Sequence, residues 1–150
     1  MNVERKSTTA DPALARRMLA RARLAVLATA GRRGPHASLV AVLPGPEAGT
    51  LVFATPRDTL KHRNLAADPR AAMLLSAGTE RGRSPALTVA GRVRELRGRQ
   101  AGLWLDRLQR AHPDLGDIAG RDECTVFLLR PRALTLADGA RPARRLAAPR

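Results

Sequence analysis

The stretch Phe53-Ala-Thr-Pro-Arg-Asp-Thr-Leu-Lys-His-Arg-Asn-Leu65 gathers two threonines, three cations and an amide within a few residues. A strand ending near Thr55 would feed a short helix here, with Thr55, Thr59, Lys61, Arg63 and Asn64 around the junction. A helix N-terminus offers unpaired N–H groups and a partial positive charge, and hydroxyls with a nearby cation complete a phosphate clamp. The plainer reading of the same residues is a capped surface helix, with the Asp58 carboxylate occupying the donors a phosphate would use. His36, His62 and His112 are the side chains suited to haem ligation or proton transfer, yet His112, before Pro113 at a helix end, suits the helix carbonyls equally well. Cys124 lies among apolar neighbours and reads as a small core residue. Trp104 reads as a core or dimer contact. No Ser–His–Asp order, metal cluster or phosphate-binding glycine loop is visible in the sequence.

Elements that could position these groups follow from punctuation and periodicity. Asp11-Pro12 is an N-cap followed by proline at the first helical position, and Leu14, Met18 and Ala22 share a face, predicting a helix over about 12–22. Leu24–Thr29 predicts a buried strand and His36–Leu43 its hairpin partner across Gly31–Pro35, with a third strand at Thr50–Thr55. A helix capped by Asp58 and closed by Asp68-Pro69 follows, then strands at Ala71–Ala77 and around Leu87, Val89 and Val93, which alternate with Thr88, Arg92 and Arg94. Gly91 interrupts that strand, where a bulge or a close ligand approach would fit. Ala101, Trp104, Leu105 and Leu108 predict a helix over 99–110, and Cys124–Leu129 a sixth strand that Ala133–Leu136 would extend beyond Pro131. Strands joined mainly by hairpins favour antiparallel pairing and a closed barrel. The expected fold is α+β: a six- to seven-stranded antiparallel split barrel with three short helices. Residues 1–10 read as a flexible N-terminus, 11–146 as one domain and 147–150 as a basic tail.

The chain has 150 residues with a formal net charge of +14, and 44% of them are apolar, which is enough for a core. Residues 1–75 carry 12 basic and 5 acidic side chains and residues 76–150 carry 15 and 8, so each half is +7 and no basic block stands out. That even spread, with only three aromatic residues, argues against a nucleic-acid partner that stacks bases. A single cysteine excludes an internal disulfide framework. The longest largely apolar run, Leu24–Ala30, falls far short of the roughly 20 residues that span a membrane. Met1–Asp11 shows no apolar leader stretch, and the expected location is cytoplasmic.

Leu24-Ala-Val-Leu-Ala-Thr followed by Gly34-Pro-His-Ala-Ser38-Leu-Val resembles the opening strands of the pyridoxamine 5′-phosphate oxidase-like, FMN-binding split-barrel superfamily. Arg63-Asn-Leu65 with Asp68-Pro-Arg70, Leu87-Thr-Val-Ala-Gly91-Arg, Ala111-His-Pro113 and Phe127-Leu-Leu-Arg130-Pro-Arg132 resemble its haem-utilisation branch, in order and spacing. The resemblance runs from about residue 14 to 146. It implies a homodimer with FMN at the subunit interface, a small-molecule substrate or electron partner, and oxidoreductase activity, with deazaflavin or haem as alternative ligands. By matching position, Ser38 and the backbone of Leu39 and Val40 would line the flavin. Thr55 and Lys61 would hold its phosphate, with Arg63 and Asn64 beside them. The resemblance names no catalytic residue. A non-catalytic haem or flavin carrier on the same fold is the competing expectation. The vitamin B6 oxidases carry a basic residue near Ser38 and a glutamine near Ala86. Serine and alanine stand here instead, which points away from B6 oxidation itself.

Overall fold

The computed structural model describes residues 11–79, 83–115, 123–138 and 142–150. The expectation for residues 1–10 therefore lies outside the described residues.

The chain begins with α1 (Pro12–Ala20), where the Asp11 side chain accepts from the Ala13 N–H at 2.9 Å. Then come β1 (Leu24–Gly31), β2 (Gly34–Pro44), β3 (Leu51–Pro56), α2 (Leu60–Ala67), β4 (Arg70–Ser76) and β5 (Pro85–Leu96). α3 (Gly98–Ala111), a 3-10 turn (Pro113–Leu115), β6 (Cys124–Asp138) and β7 (Arg144–Leu146) complete it. The β1–β2 connection is a two-residue hairpin in which Gly34 takes a φ of 99°, a conformation that favours glycine.

All strand pairings are antiparallel, in the order β3-β2-β1-β4-β5-β6-β7, and a further β3–β6 pairing closes six strands into a barrel with β7 outside it. The α+β barrel with three helices agrees with the sequence expectation. Along β1, Ala25, Leu27 and Thr29 face inward while Leu24, Val26 and Ala28 face outward, the period of two that a half-buried strand requires. The interior is filled by Leu27, Val42, Leu51, Met73, Leu87 and Val89, with the stacked rings of Phe53 and Phe127 5.5 Å apart. A second apolar layer forms where α3 lays Trp104, Leu105 and Leu108 over Val52, Val126 and Leu128 on the outer face of β3 and β6.

β6 is one continuous strand through Pro131, longer than its two sequence pieces. The register shifts between Ala90 and Gly91, opposite Pro131, so the residue without an N–H sits at a bulge. A Cβ on Gly91 would collide with the Arg130 carbonyl, so it is the β6 backbone, rather than a ligand, that approaches this glycine.

Candidate functional site

β2 is paired with β1 over residues 34–41, whereas β3 joins it only at Val42↔Phe53, Leu43↔Val52 and Pro44↔Leu51. Continuing that register would pair Val40 with Thr55, but Ala54, Thr55 and Pro56 pair only with β6. The two strands therefore part. Over residues 34–41, one edge of β2 has no strand partner among the described residues, and its peptide groups line a split.

Three features belong to β2, to the β3–α2 turn and to α2. The first is Ser38, on the inward face of β2 with Val40 and Val42. Its Oγ is buried and has no hydrogen-bond partner among the described residues. A buried hydroxyl in this condition costs about 1–3 kcal/mol, so it needs a reason. The second is the turn from β3 into α2. Thr55 is fully buried, with its hydroxyl 2.9 Å from Thr59 Oγ1. Thr59 donates to the Pro56 carbonyl at 2.9 Å and accepts from the His62 N–H, making it the N-cap. The sequence pointed to Asp58 for this role. The Pro56 carbonyl fixes the Thr59 hydroxyl instead, and Asp58 stays exposed with only its carbonyl engaged, by Arg63 Nη1 at 2.7 Å. A neutral hydroxyl thus caps α2, without the carboxylate that would compete with an anion. The third feature is Lys61, half-buried on the first turn of α2 and without an ion pair among the described residues.

The other expected residues lie nearby in different settings. Val40 is buried at the root of the split, and Leu39 faces outward, 66% exposed. Arg63 is exposed and ties back to the start of α2 through Asp58. Asn64 is buried, donates to Thr29 Oγ1 at 3.0 Å and lies under Gly31, where a Cβ would strike it. Asn64 thus fixes α2 across the end of β1, while Arg63 ties the helix to the turn before it. Sequence reasoning missed the Thr125 hydroxyl, 3.1 Å from His62 Nε2, because its partner is 63 residues away. It also missed Gly31, whose missing side chain makes room for Asn64; a glycine ending a strand looks like an ordinary turn signal. His112 Nε2 is 3.2 Å from the Val42 carbonyl, a packing role, and burial raises the Cys124 thiol above its ordinary pKa.

The outer face of the same strands is apolar. Leu39, Val26 and Leu74 are cross-strand neighbours on β2, β1 and β4, and with Leu24 they are 38–66% exposed. Ala28 and Ala72, two residues along on this face, line an open depression of about 720 Å³ with Ala90 and Gly91, rimmed by Arg70, Arg92 and Arg132. No group of three metal-ligating side chains converges among the described residues, and no helix among them is long and apolar enough to cross a membrane.

The family model for pyridoxamine 5′-phosphate oxidase matches residues 12–137. Among solved structures, a haem-binding protein from Mycobacterium smegmatis is 25% identical with a TM-score of 0.72, the match covering 89% of this chain and 56% of that one. The chain thus spans little more than half of that protein. An FAD-binding protein from Mesorhizobium loti is 18% identical with a TM-score of 0.69, covering 85% of this chain and 95% of its own. An F420 reductase is 23% identical with a TM-score of 0.64, covering 79% and 93%. These last two share the fold. No curated protein matches the sequence.

Proposed function

The chain belongs to the pyridoxamine 5′-phosphate oxidase family, and from that premise we propose that it is a cytoplasmic, homodimeric FMN-binding flavoprotein acting as an oxidoreductase on a small-molecule substrate or electron partner. The observation that carries this reading is the split between β2 and β3, with the unpartnered Ser38 Oγ buried beside it and the unpaired Lys61 on α2. These residues fit a flavin phosphate ester. Ser38 and the free peptide edge at Leu39 and Val40 suit the polar rim of the ring, and Lys61 suits the phosphate. Thr55 acts through Thr59, whose oxygen holds the first turn of α2 open to an anion, while Arg63 and Asn64 keep that helix in place. When bound, FMN supplies hydride or electron transfer, and the chain supplies anchoring, shape and local charge.

The second copy of the chain would cover the apolar row of Leu39, Val26 and Leu74, because exposed contiguous apolar surface marks an interaction site. Isologous pairing there would bring the Arg70, Arg92 and Arg132 rim of one protomer to its partner.

A non-catalytic haem carrier is the second reading, supported by the 25% identity to the haem-binding protein. Absorption spectra of the purified chain with FMN, deazaflavin and haem, taken before and after gel filtration, separate the readings. Retained flavin bands are expected; a retained Soret band alone supports the carrier, and retention of none overturns both. Lys61→Ala removes a charge-assisted bond worth about 1.5–3 kcal/mol, so FMN should bind about 10- to 150-fold more weakly. Unchanged affinity refutes the phosphate role.

A further inference from the structure

The barrel has a second concave site at the end opposite α2. α2 lies over the end of β1 at Gly31, whereas α1 lies against the barrel near the start of β1 and the end of β4. Between α1, the β4–β5 ends and the C-terminus of α3 is a cavity of about 780 Å³, within the size range of small-molecule sites. Leu14, Met18, Leu24, Leu75 and Pro85 form its apolar lining.

Its charge is one-sided. Arg17, on α1, and Arg21, the residue that caps its C-terminus, both line this cavity beside Leu14 and Met18. Arg23 joins them from the start of β1, with its guanidinium pinned by the Ala111 carbonyl. Asp114 is the one carboxylate in the lining. Asp11, the other acid near these arginines, lies 3.8 Å from Arg17 in a half-exposed pair of little strength. Arg21 has no acidic partner among the described residues. Nothing in the split uses these residues.

We propose that this cavity binds a small amphipathic anion, an apolar body carrying one carboxylate or sulfonate head, with Arg17 and Arg21 on the head and Met18, Leu75 and Pro85 on the body. An apolar pocket with a few convergent polar groups is the form such sites take, and a guanidinium offers a planar fork to a carboxylate. Both arginines are exposed and outside the core, so the fold tolerates their replacement.

The test uses anilinonaphthalenesulfonate fluorescence with decanoate as competitor. One saturable site per chain is expected, displaced by decanoate and at least about tenfold less well by decanol. The double variant Arg17→Glu, Arg21→Glu should weaken the probe at least about tenfold, with far-UV circular dichroism and FMN retention unchanged. Leu39→Glu, on the outer face, should leave probe binding intact. The proposal is overturned if the double variant binds the probe as the parent does. Equal competition by decanol and decanoate, or loss of the probe site in Leu39→Glu alone, overturns it as well.

Discussion

Ser38→Ala should change stability and cofactor affinity in opposite directions. Without cofactor, the Ser38 hydroxyl is buried and unpartnered, so the folded state carries a desolvation cost of about 1–3 kcal/mol that alanine does not. Alanine also lacks only one atom, and the site already admits no partner, so little packing is lost. A gain near 1 kcal/mol should raise the melting temperature by about 3 °C in a domain of this size. In the proposed FMN complex the same hydroxyl would make a bond worth about 0.5–1.5 kcal/mol, and the variant should bind about 2- to 13-fold more weakly. Thermal denaturation followed by circular dichroism measures the first effect and quenching of flavin fluorescence the second. A variant less stable than the parent without cofactor, or equal to it in FMN affinity, would refute the assignment of Ser38 to the flavin rim.

Leu39→Glu puts a charge in the middle of the exposed apolar row and should convert the proposed dimer to a monomer in sedimentation velocity; a dimer that survives it pairs through another face. Gly91→Ala forces a Cβ into the Arg130 carbonyl, a backbone clash without a soft neighbour, and should cost more than about 4 kcal/mol or prevent soluble expression. Gly102→Ala, in α3 with open space around it, should stabilise by about 0.5–1 kcal/mol, and denaturant midpoints will rank the two. The Arg70 side chain and backbone N–H, both bonded to Asp68, lower its carboxyl from 3.8 to about 2. Its folded-state value is depressed, so the contribution is complete above pH 3.8 and is lost as pH falls through 2. In Asp68→Asn that acid limb should flatten, and urea midpoints that run parallel to the parent between these pH values would contradict it.

Local chemistry was legible in the sequence where one short stretch decides the outcome. Asp11-Pro12 starts α1, Gly34 turns the β1–β2 hairpin, and the alternation of Leu87, Val89 and Val93 with Thr88 and Arg94 builds β5. Reading failed where two adjacent residues compete or a distant partner decides. Asp58 and Thr59 are both good caps, and only the position of the Pro56 carbonyl selects the threonine. Pro131 looks like a strand end until Gly91, forty residues earlier, supplies the bulge that accommodates it. The expected site residues lie on β2, at the end of β3 and on α2, yet nothing in their own segment reveals that Arg63 bonds the Asp58 carbonyl and Asn64 bonds Thr29, while Lys61 has no ion pair among the described residues.

The split begins where β3 parts from β2 while remaining paired with β6 on its other edge. β6 is long enough to pair with β5 along most of its length and with β3 over Cys124–Leu129. Each β3 residue from Leu51 to Pro56 has a partner on β6, but only Leu51, Val52 and Phe53 also meet β2. α3 reinforces this choice by packing Trp104, Leu105 and Leu108 over Val52, Val126 and Leu128, so apolar burial holds β3 to β6. Among the described residues, β2 is left with backbone groups that no strand satisfies and an inward serine that no side chain satisfies. An open edge in a barrel invites strand addition from another chain. Here α2 contacts both β3 and β1 and is bonded to β1 through Asn64 and Thr29. On the reading proposed above, polar groups of the flavin would meet the β2 edge and its phosphate would meet Lys61.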